Sequence, residues 1–162
     1  VKSLIAHGEK AGLQMPLLSA VIKINDRQPK RMVEILKRSF PSLRGLRVAV
    51  LGLAFKPDTD DMRESPAIPI IRYLLAEGAI VLAYDPVAVS EARKILDVQD
   101  VRFQNSLSEA VKDVEAIVLV TRWKEFEKLP EILQETETQP VVVDGRRMLD
   151  KNSVVKYAGI GL

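Results

Sequence analysis

Between Gly52 and Pro66 the chain reads GLAFKPDTDDMRESP, gathering an aromatic ring (Phe55), a lysine (Lys56), a proline-stiffened turn at Pro57-Asp58, three aspartates and an arginine (Arg63). The stretch follows the apolar run Arg47–Leu51 and precedes a helical pattern, so it leaves the carboxyl end of a strand, where open parallel sheets meet their ligands. A lysine there can hold a phosphate or a sugar hydroxyl through charge-assisted hydrogen bonds. It can equally be a solvated side chain partnered by Asp58 or Asp60. Phe55 is more ambiguous, because an aromatic after a buried strand usually joins the core. Arg63 stands before Glu64-Ser65-Pro66, which predicts a helix start with Ser65 as N-cap and Pro66 in the first helical position. A cation is badly placed for that helix dipole and well placed for a shared anion; a pair with a neighbouring aspartate is the alternative.

Asp144-Gly145-Arg146-Arg147 offers a second basic loop after a strand. Gly145 permits a tight turn, Asp144 reads as a turn-former, and Arg146 or Arg147 can fork onto a phosphate or nucleotide oxygen. Asp85 ends a strand at the place where a dinucleotide fold keeps its ribose-binding acid. Gly52, however, is followed by Leu53, Ala54 and Phe55, so the G-x-G-x-x-G fingerprint is missing, and Pro86 follows Asp85. Tyr84-Asp85-Pro86 therefore reads as a turn. Trp123, the only tryptophan, reads as core, and His7, the only histidine, as a solvent-facing residue near a helix end.

The elements that must position these groups follow from apolar periodicity. Strands are expected at Arg47–Leu53, Ala79–Tyr84, Val101–Phe103, Ala116–Thr121 and Val141–Asp144, with an edge strand within Val154–Gly161. Helices are expected at Ser65–Glu77, Ala88–Leu96, Ser106–Lys112 and Glu125–Gln134. Short continuous apolar strands separated by helices mean an α/β fold: a Rossmann-like parallel sheet with helices on both faces. Residues 43–162 would form this unit. Residues 1–42 would precede it as a short helix to about residue 11 and a long central helix from Pro16 to about Phe40. That helix is apolar at Leu17, Leu18, Val21, Ile22, Met32, Val33, Leu36 and Phe40, and Pro29 should kink it near Ile24–Asp26 or divide it in two. Apolar positions on more than one stripe call for a partner surface.

The 162 residues carry 24 basic and 22 acidic side chains, a net charge of +2 without a long single-sign block, which argues against a nucleic-acid partner. No apolar run approaches the roughly 18 to 20 residues of a membrane helix, and the expected location is cytoplasmic. There is no cysteine, so neither disulfides nor thiolate chemistry can come from these residues, and a single histidine argues against a His-based metal or triad site.

Taken together and in this order, GLAFKPDTDDMRESP, Tyr84-Asp85-Pro86, Thr121-Arg-Trp-Lys-Glu-Phe126 and Asp144-Gly-Arg-Arg-Met-Leu-Asp150 resemble the C-terminal, UDP-sugar-binding half of the UDP-glucose/GDP-mannose dehydrogenase family. The UDP-glucose 6-dehydrogenases are the nearest likeness, and Asn25-Asp-Arg-Gln-Pro29 also resembles their central helix. The resemblance implies a Phe55-Lys56 pair and Arg146 on the UDP-sugar, and Arg63 reaching the phosphates of NAD. It implies NAD bound mainly by an N-terminal domain, and a homodimer formed through the central helix. It further implies oxidation of the C6 alcohol of UDP-glucose to UDP-glucuronate in two hydride transfers, through a cysteine-bound intermediate. On this reading Val1-Lys2-Ser3-Leu4-Ile5 follows directly after the catalytic cysteine segment, the chain is a fragment inactive alone, and no catalytic residue is assigned within it. Arg122 departs from the acidic residue often found at that family position, and Arg147 is expected to pair with an acid or face water. UDP-N-acetylmannosamine and GDP-mannose dehydrogenases share the architecture, and a free-standing nucleotide-binding or regulatory domain is the rival of another class.

Overall fold

The computed structural model describes residues 1–96 and 99–161; positions 97, 98 and 162 of the expected 43–162 unit lie outside the described residues. Six strands form one parallel sheet: β1 (Arg47–Leu51), β2 (Ile80–Tyr84), β3 (Val101–Phe103), β4 (Ala116–Leu119), β5 (Val141–Asp144) and β6 (Lys156–Gly159). Their spatial order is β3-β2-β1-β4-β5-β6, the doubly wound arrangement of dinucleotide folds, with the chain reversing direction across the sheet between β1 and β4. The expected α/β class is therefore the observed one.

The described residues form six α-helices: α1 (Lys2–Lys10), α2 (Pro16–Lys37), α3 (Ala67–Ala76), α4 (Val89–Ile95), α5 (Leu107–Val111) and α6 (Leu129–Gln134), the last preceded by a 3₁₀ turn over Lys124–Lys128. Alternate strand residues feed two cores. One face packs Val48, Val50, Val81, Ala83, Val118 and Val143 against the second half of α2 and against α3 and α4. The other packs Ala49, Leu51, Leu82, Ile117, Leu119 and Val142 against α5, the 3₁₀ turn and α6. Both faces being covered explains why the central strands are apolar at every position rather than at every second one.

The long helix behaves differently along its length. Pro29 does not divide it: α2 is one helix through Pro29, whose ring is buried, while Gln28 Nε2 donates to the Ile24 carbonyl at 3.2 Å. Met32, Val33, Ile35 and Leu36 belong to the sheet's core. The first half instead leaves Leu17 82%, Val21 44% and Ile24 55% exposed, and Leu4 and Leu13 beside it are exposed too. The apolar positions read from the sequence as one partner-seeking set thus divide. Met32, Val33 and Leu36 serve this chain's own core; Leu17 and Val21 do not, and Ile24, outside that set, is exposed with them.

Two glycines sit where a Cβ would meet a close neighbour. Gly52 ends β1 with φ +89°, and a Cβ there would lie 2.6 Å from both the Thr121 amide nitrogen and Cβ. Gly145 has an ordinary φ but would put a Cβ 2.8 Å from Met32 Cε and 3.0 Å from the Leu119 carbonyl oxygen. Close approach, rather than the tight turn expected from sequence, is what this glycine supplies. Two phenols tie outlying pieces to the sheet: Tyr84 donates to the Glu125 carboxylate at 3.1 Å, and Tyr157 donates to Asp144 Oδ2 at 3.1 Å. Burial, reinforced by the carboxylate beside each, pushes both phenols up to about 12.

Two predictions follow from this packing. Gly52→Ala combines left-handed strain with overpacking and should cost about 2–5 kcal/mol, read as a lowered midpoint in urea or thermal unfolding; an unchanged midpoint would contradict the Thr121 contact. The raised tyrosine values mean that their stabilisation is full below the unfolded value of about 10 and is lost as pH rises through about 12. In a phenolate absorbance titration, two of the three tyrosines should ionise only near pH 12 while the chain stays folded.

Candidate functional site

At the carboxyl edge of the sheet the Gly52–Pro66 connection has a buried root and an exposed tip. Leu53, Ala54, Met62 and Ser65 are buried, whereas Phe55, Lys56, Pro57 and Asp58 are exposed. The root is held by side chains from two other loops and from the far end of its own. Asp85 Oδ2 accepts from the Leu53 and Ala54 amides at 2.7 and 3.1 Å. Ser65 Oγ donates to the Leu53 carbonyl and Thr121 Oγ1 to the Ala54 carbonyl, both at 2.6 Å. The tip closes on itself where the Phe55 amide donates to the Asp61 carbonyl at 2.8 Å, with Asp58 in the left-handed region at φ 61°. Aspartate tolerates that conformation better than most residues.

Phe55 is 47% exposed, so it is not the core residue that an aromatic after a buried strand would ordinarily be. Lys56 is exposed and has no hydrogen-bond or ion-pair partner among the described residues; neither Asp58 nor Asp60 takes it. Arg63 does have a partner. Its Nε and Nη2 fork onto the Asp61 carboxylate at 3.0 and 2.9 Å, and its backbone amide donates to the same group at 2.9 Å. These bonds hold the Asp61 carboxyl down at about 2 and push Arg63 up. The Arg63 side chain is nonetheless 88% exposed. The helix start is shifted by one residue from the expectation: Pro66 rather than Ser65 is the N-cap of α3, while Ser65 Oγ, just before it, accepts from the Ala67 amide at 3.2 Å.

Arg146 reaches the same edge two strands away. Its Nε donates to the Val120 carbonyl, and Val120 adjoins Thr121, which holds Ala54; the Lys56 and Arg146 loops are thus joined through one short segment after β4. No direct contact links Phe55, Lys56 and Arg146 among the described residues. Arg147, at φ 48°, forms no ion pair with an acid among the described residues: it donates to the Ile160 and Gly161 carbonyls at 3.2 and 2.7 Å and ties down the chain after β6. Arg122 is exposed beside them. Asp144 forms the turn expected of it, accepting from the amides of Arg146, Met148 and Leu149.

Asp85 does more than turn the chain. Besides the two loop amides, Oδ2 accepts from Trp123 Nε1 at 3.0 Å, and Oδ1 accepts from the Val87 and Ala88 amides at 2.9 and 2.8 Å. The only signals for this in the sequence were an acid at the end of an apolar strand and a lone tryptophan after another. With its lone pairs spent on protein donors, Asp85 is not available to a ribose. The β1–β2 crevice therefore does not fit a dinucleotide in the manner of a standard cofactor fold.

The electrostatics favour the open edge over the neighbouring cleft. A cleft of about 430 Å³ between the loop's return limb and α4 is lined by Asp60, Asp61 and Glu91, with Arg63 as its one cation, the wrong sign for a diphosphate. Lys56 and Arg146 are exposed and form no ion pair among the described residues. A basic edge on a parallel sheet, carrying an exposed aromatic ring, can grip a phosphate-bearing ligand with a flat base or a sugar.

Known proteins place this arrangement. Residues 49–151 match the family model described as UDP-glucose/GDP-mannose dehydrogenase family, UDP binding domain. A UDP-glucose 6-dehydrogenase of Haloferax volcanii is 39% identical over 158 residues, covering 98% of this chain and 36% of that protein. The structure of a UDP-glucose dehydrogenase from Pyrobaculum islandicum superposes with a TM-score of 0.82 at 36% identity, over 96% of this chain and 34% of the other. A UDP-D-ManNAc dehydrogenase from Pyrococcus horikoshii follows at 0.73 and 27%, over 95% of this chain and 35% of the other. The chain thus spans about a third of the length of the relatives it matches, and it belongs to the UDP-glucose/GDP-mannose dehydrogenase family, over the part described as the UDP binding domain.

Proposed function

We propose that the carboxyl edge of the sheet binds the UDP-sugar of an NAD-dependent UDP-glucose 6-dehydrogenase, as one wall of a site completed by a further domain. The observation that carries this reading is the Phe55-Lys56 tip: exposed, without a partner for its cation among the described residues, and mounted on Leu53 and Ala54, whose four backbone polar groups are all tied. Lys56 and Arg146 would hold the diphosphate by charge-assisted hydrogen bonds, and Phe55 would cover an apolar face of the ligand. Arg63 would turn outward from Asp61 to a cofactor phosphate. The reaction is the oxidation of the C6 alcohol of UDP-glucose to the carboxylate of UDP-glucuronate, in the cytoplasm and in the service of polysaccharide synthesis. NAD, when bound, accepts the two hydrides. This chain's residues fit it only at Arg63, since the β1–β2 crevice is closed by Asp85, so the cofactor lies mainly on the other domain. The covalent step has no nucleophile here, there being no cysteine.

Residues 1–42 are proposed as a linking segment and residues 43–162 as the sugar-nucleotide domain. Leu17, Val21 and Ile24 make the first half of α2 a surface for a second copy of the chain. The likeness to a UDP-D-ManNAc dehydrogenase supports a second reading, in which the sugar is an N-acetylated hexosamine and the same phosphate contacts apply.

In the longer enzyme, Lys56→Ala and Arg146→Ala should weaken UDP-sugar use and Arg63→Ala should weaken NAD use. Each removes a charge-assisted contact worth about 1.5–3 kcal/mol, a ten- to hundredfold fall in the relevant kcat/KM. A rise in KM for the sugar nucleotide on Arg63→Ala, with NAD spared, would overturn the division of the loop between two ligands. For the helix, sedimentation should show self-association that Val21→Glu with Ile24→Glu abolishes without loss of the folded circular-dichroism spectrum. A strict monomer at high concentration would sink the dimer.

A further inference from the structure

Two residues, Leu53 and Ala54, separate the end of β1's glycine from the exposed Phe55-Lys56 tip. All four of their backbone polar groups are taken by side chains: both amides by Asp85, one carbonyl by Ser65 and the other by Thr121. A connection that only had to turn at a sheet edge could leave such groups to water. Here the two peptide units that set the direction of Phe55 and Lys56 are fixed from beneath. The carboxylate that fixes the amides is 2% exposed and has no cationic partner among the described residues. The same oxygen, Oδ2, also accepts the Trp123 indole N–H, so the loop amides and the indole compete for and share one acceptor. A displacement of the loop root therefore changes the hydrogen bond of the sole tryptophan.

We propose that Asp85 is the positioning residue of the nucleotide site, holding the Leu53 and Ala54 amides so that Phe55 and Lys56 present themselves to the ligand, and that Trp123 is coupled to ligand occupancy through the same carboxylate oxygen. Asp85 acts through Lys56 and touches no ligand. The inference rests on the reading of Lys56 as a sugar-nucleotide contact, and it adds a function to a buried aspartate that otherwise reads as a turn.

The test uses UDP as the probe, with affinity measured by calorimetry and the Trp123 emission followed in parallel. Asp85→Asn keeps the shape of the side chain but replaces one acceptor oxygen by an amide N–H₂ that faces donors, so it loosens one side of the hub. It should weaken UDP binding about tenfold in protein that remains folded by circular dichroism. Because it acts through Lys56, the combination of Asp85→Asn with Lys56→Ala should bind UDP no more than about twofold worse than Lys56→Ala alone. A merely structural aspartate would instead give losses that multiply, or no change in affinity, and either result overturns the proposal. UDP should also shift the emission of the unaltered chain, and the shift should vanish in Lys56→Ala. If Asp85→Asn does not fold, this emission measurement decides alone: UDP binding seen by calorimetry with a silent Trp123 overturns the coupling. Absence of UDP binding by the unaltered protein is a separate result, which overturns the reading of the site itself and this inference with it.

Discussion

A carboxylate taken out of water needs several kcal/mol of replacement solvation, and without a cation beside it that replacement must come from N–H and O–H dipoles. Two aspartates at the carboxyl edge meet this demand in the same way. Asp85, after β2, collects the amides of Leu53, Ala54, Val87 and Ala88 and the Trp123 indole. Asp144, at the end of β5, collects the amides of Arg146, Met148 and Leu149 and the Tyr157 hydroxyl. Each hub gathers the loop of its own strand, and each draws in an aromatic donor from another. The edge where ligands meet a parallel sheet is thereby made rigid by groups that never reach the surface, and the cations they carry, Lys56 and Arg146, are free at their tips.

That rigidity extends to the long helix. Gly145, one residue after Asp144, is in contact distance of Met32 from the buried half of α2, and a methyl group there would collide with the methionine. The helix whose first half exposes Leu17, Val21 and Ile24 is thus seated directly beneath the turn that carries Arg146. On the proposed reading, a second copy bound to the exposed half would press on an element that is packed against the sugar-nucleotide edge.

The strands were readable because a sheet covered on both faces imposes an apolar residue at every position, a pattern few other structures share. Val101–Phe103 and Val141–Asp144 match residue for residue. The expected β1 and β4 run two residues too far because Leu53 and Thr121 are as buried as strand residues, yet the Leu53 amide donates to the Asp85 carboxylate and the Thr121 hydroxyl to the Ala54 carbonyl, outside the strand ladder. Glu125–Gln134 begins as a 3₁₀ turn because Pro130 lacks the amide that would continue an α-helix backward from its first turn. Phe55, which the sequence left ambiguous because burial tendency favours the core, is turned out by the anchored root. Asp85 as a hub was not legible at all: which lone pair meets which amide is decided by three loops that are 30 to 70 residues apart in sequence, and no local pattern records it.

The two loop cations that could meet phosphates in this family are not prepared alike, and the difference has a physical meaning. Lys56 stands without a partner, so a ligand gains its charge without first breaking anything. Arg63 is held in a two-pronged fork by Asp61, whose carboxyl, held at about 2, is fully ionised at neutral pH. Two of the guanidinium's five N–H groups go to Asp61, so Nη1 and the second Nη2 hydrogen are open to a phosphate without displacing the carboxylate. The pair is solvent-exposed, and exposed pairs contribute little to stability. On the proposed reading, the sugar nucleotide meets a lysine without an ion-pair partner and the cofactor meets an arginine whose orientation Asp61 holds, so the two cations of one short loop are prepared differently for their ligands.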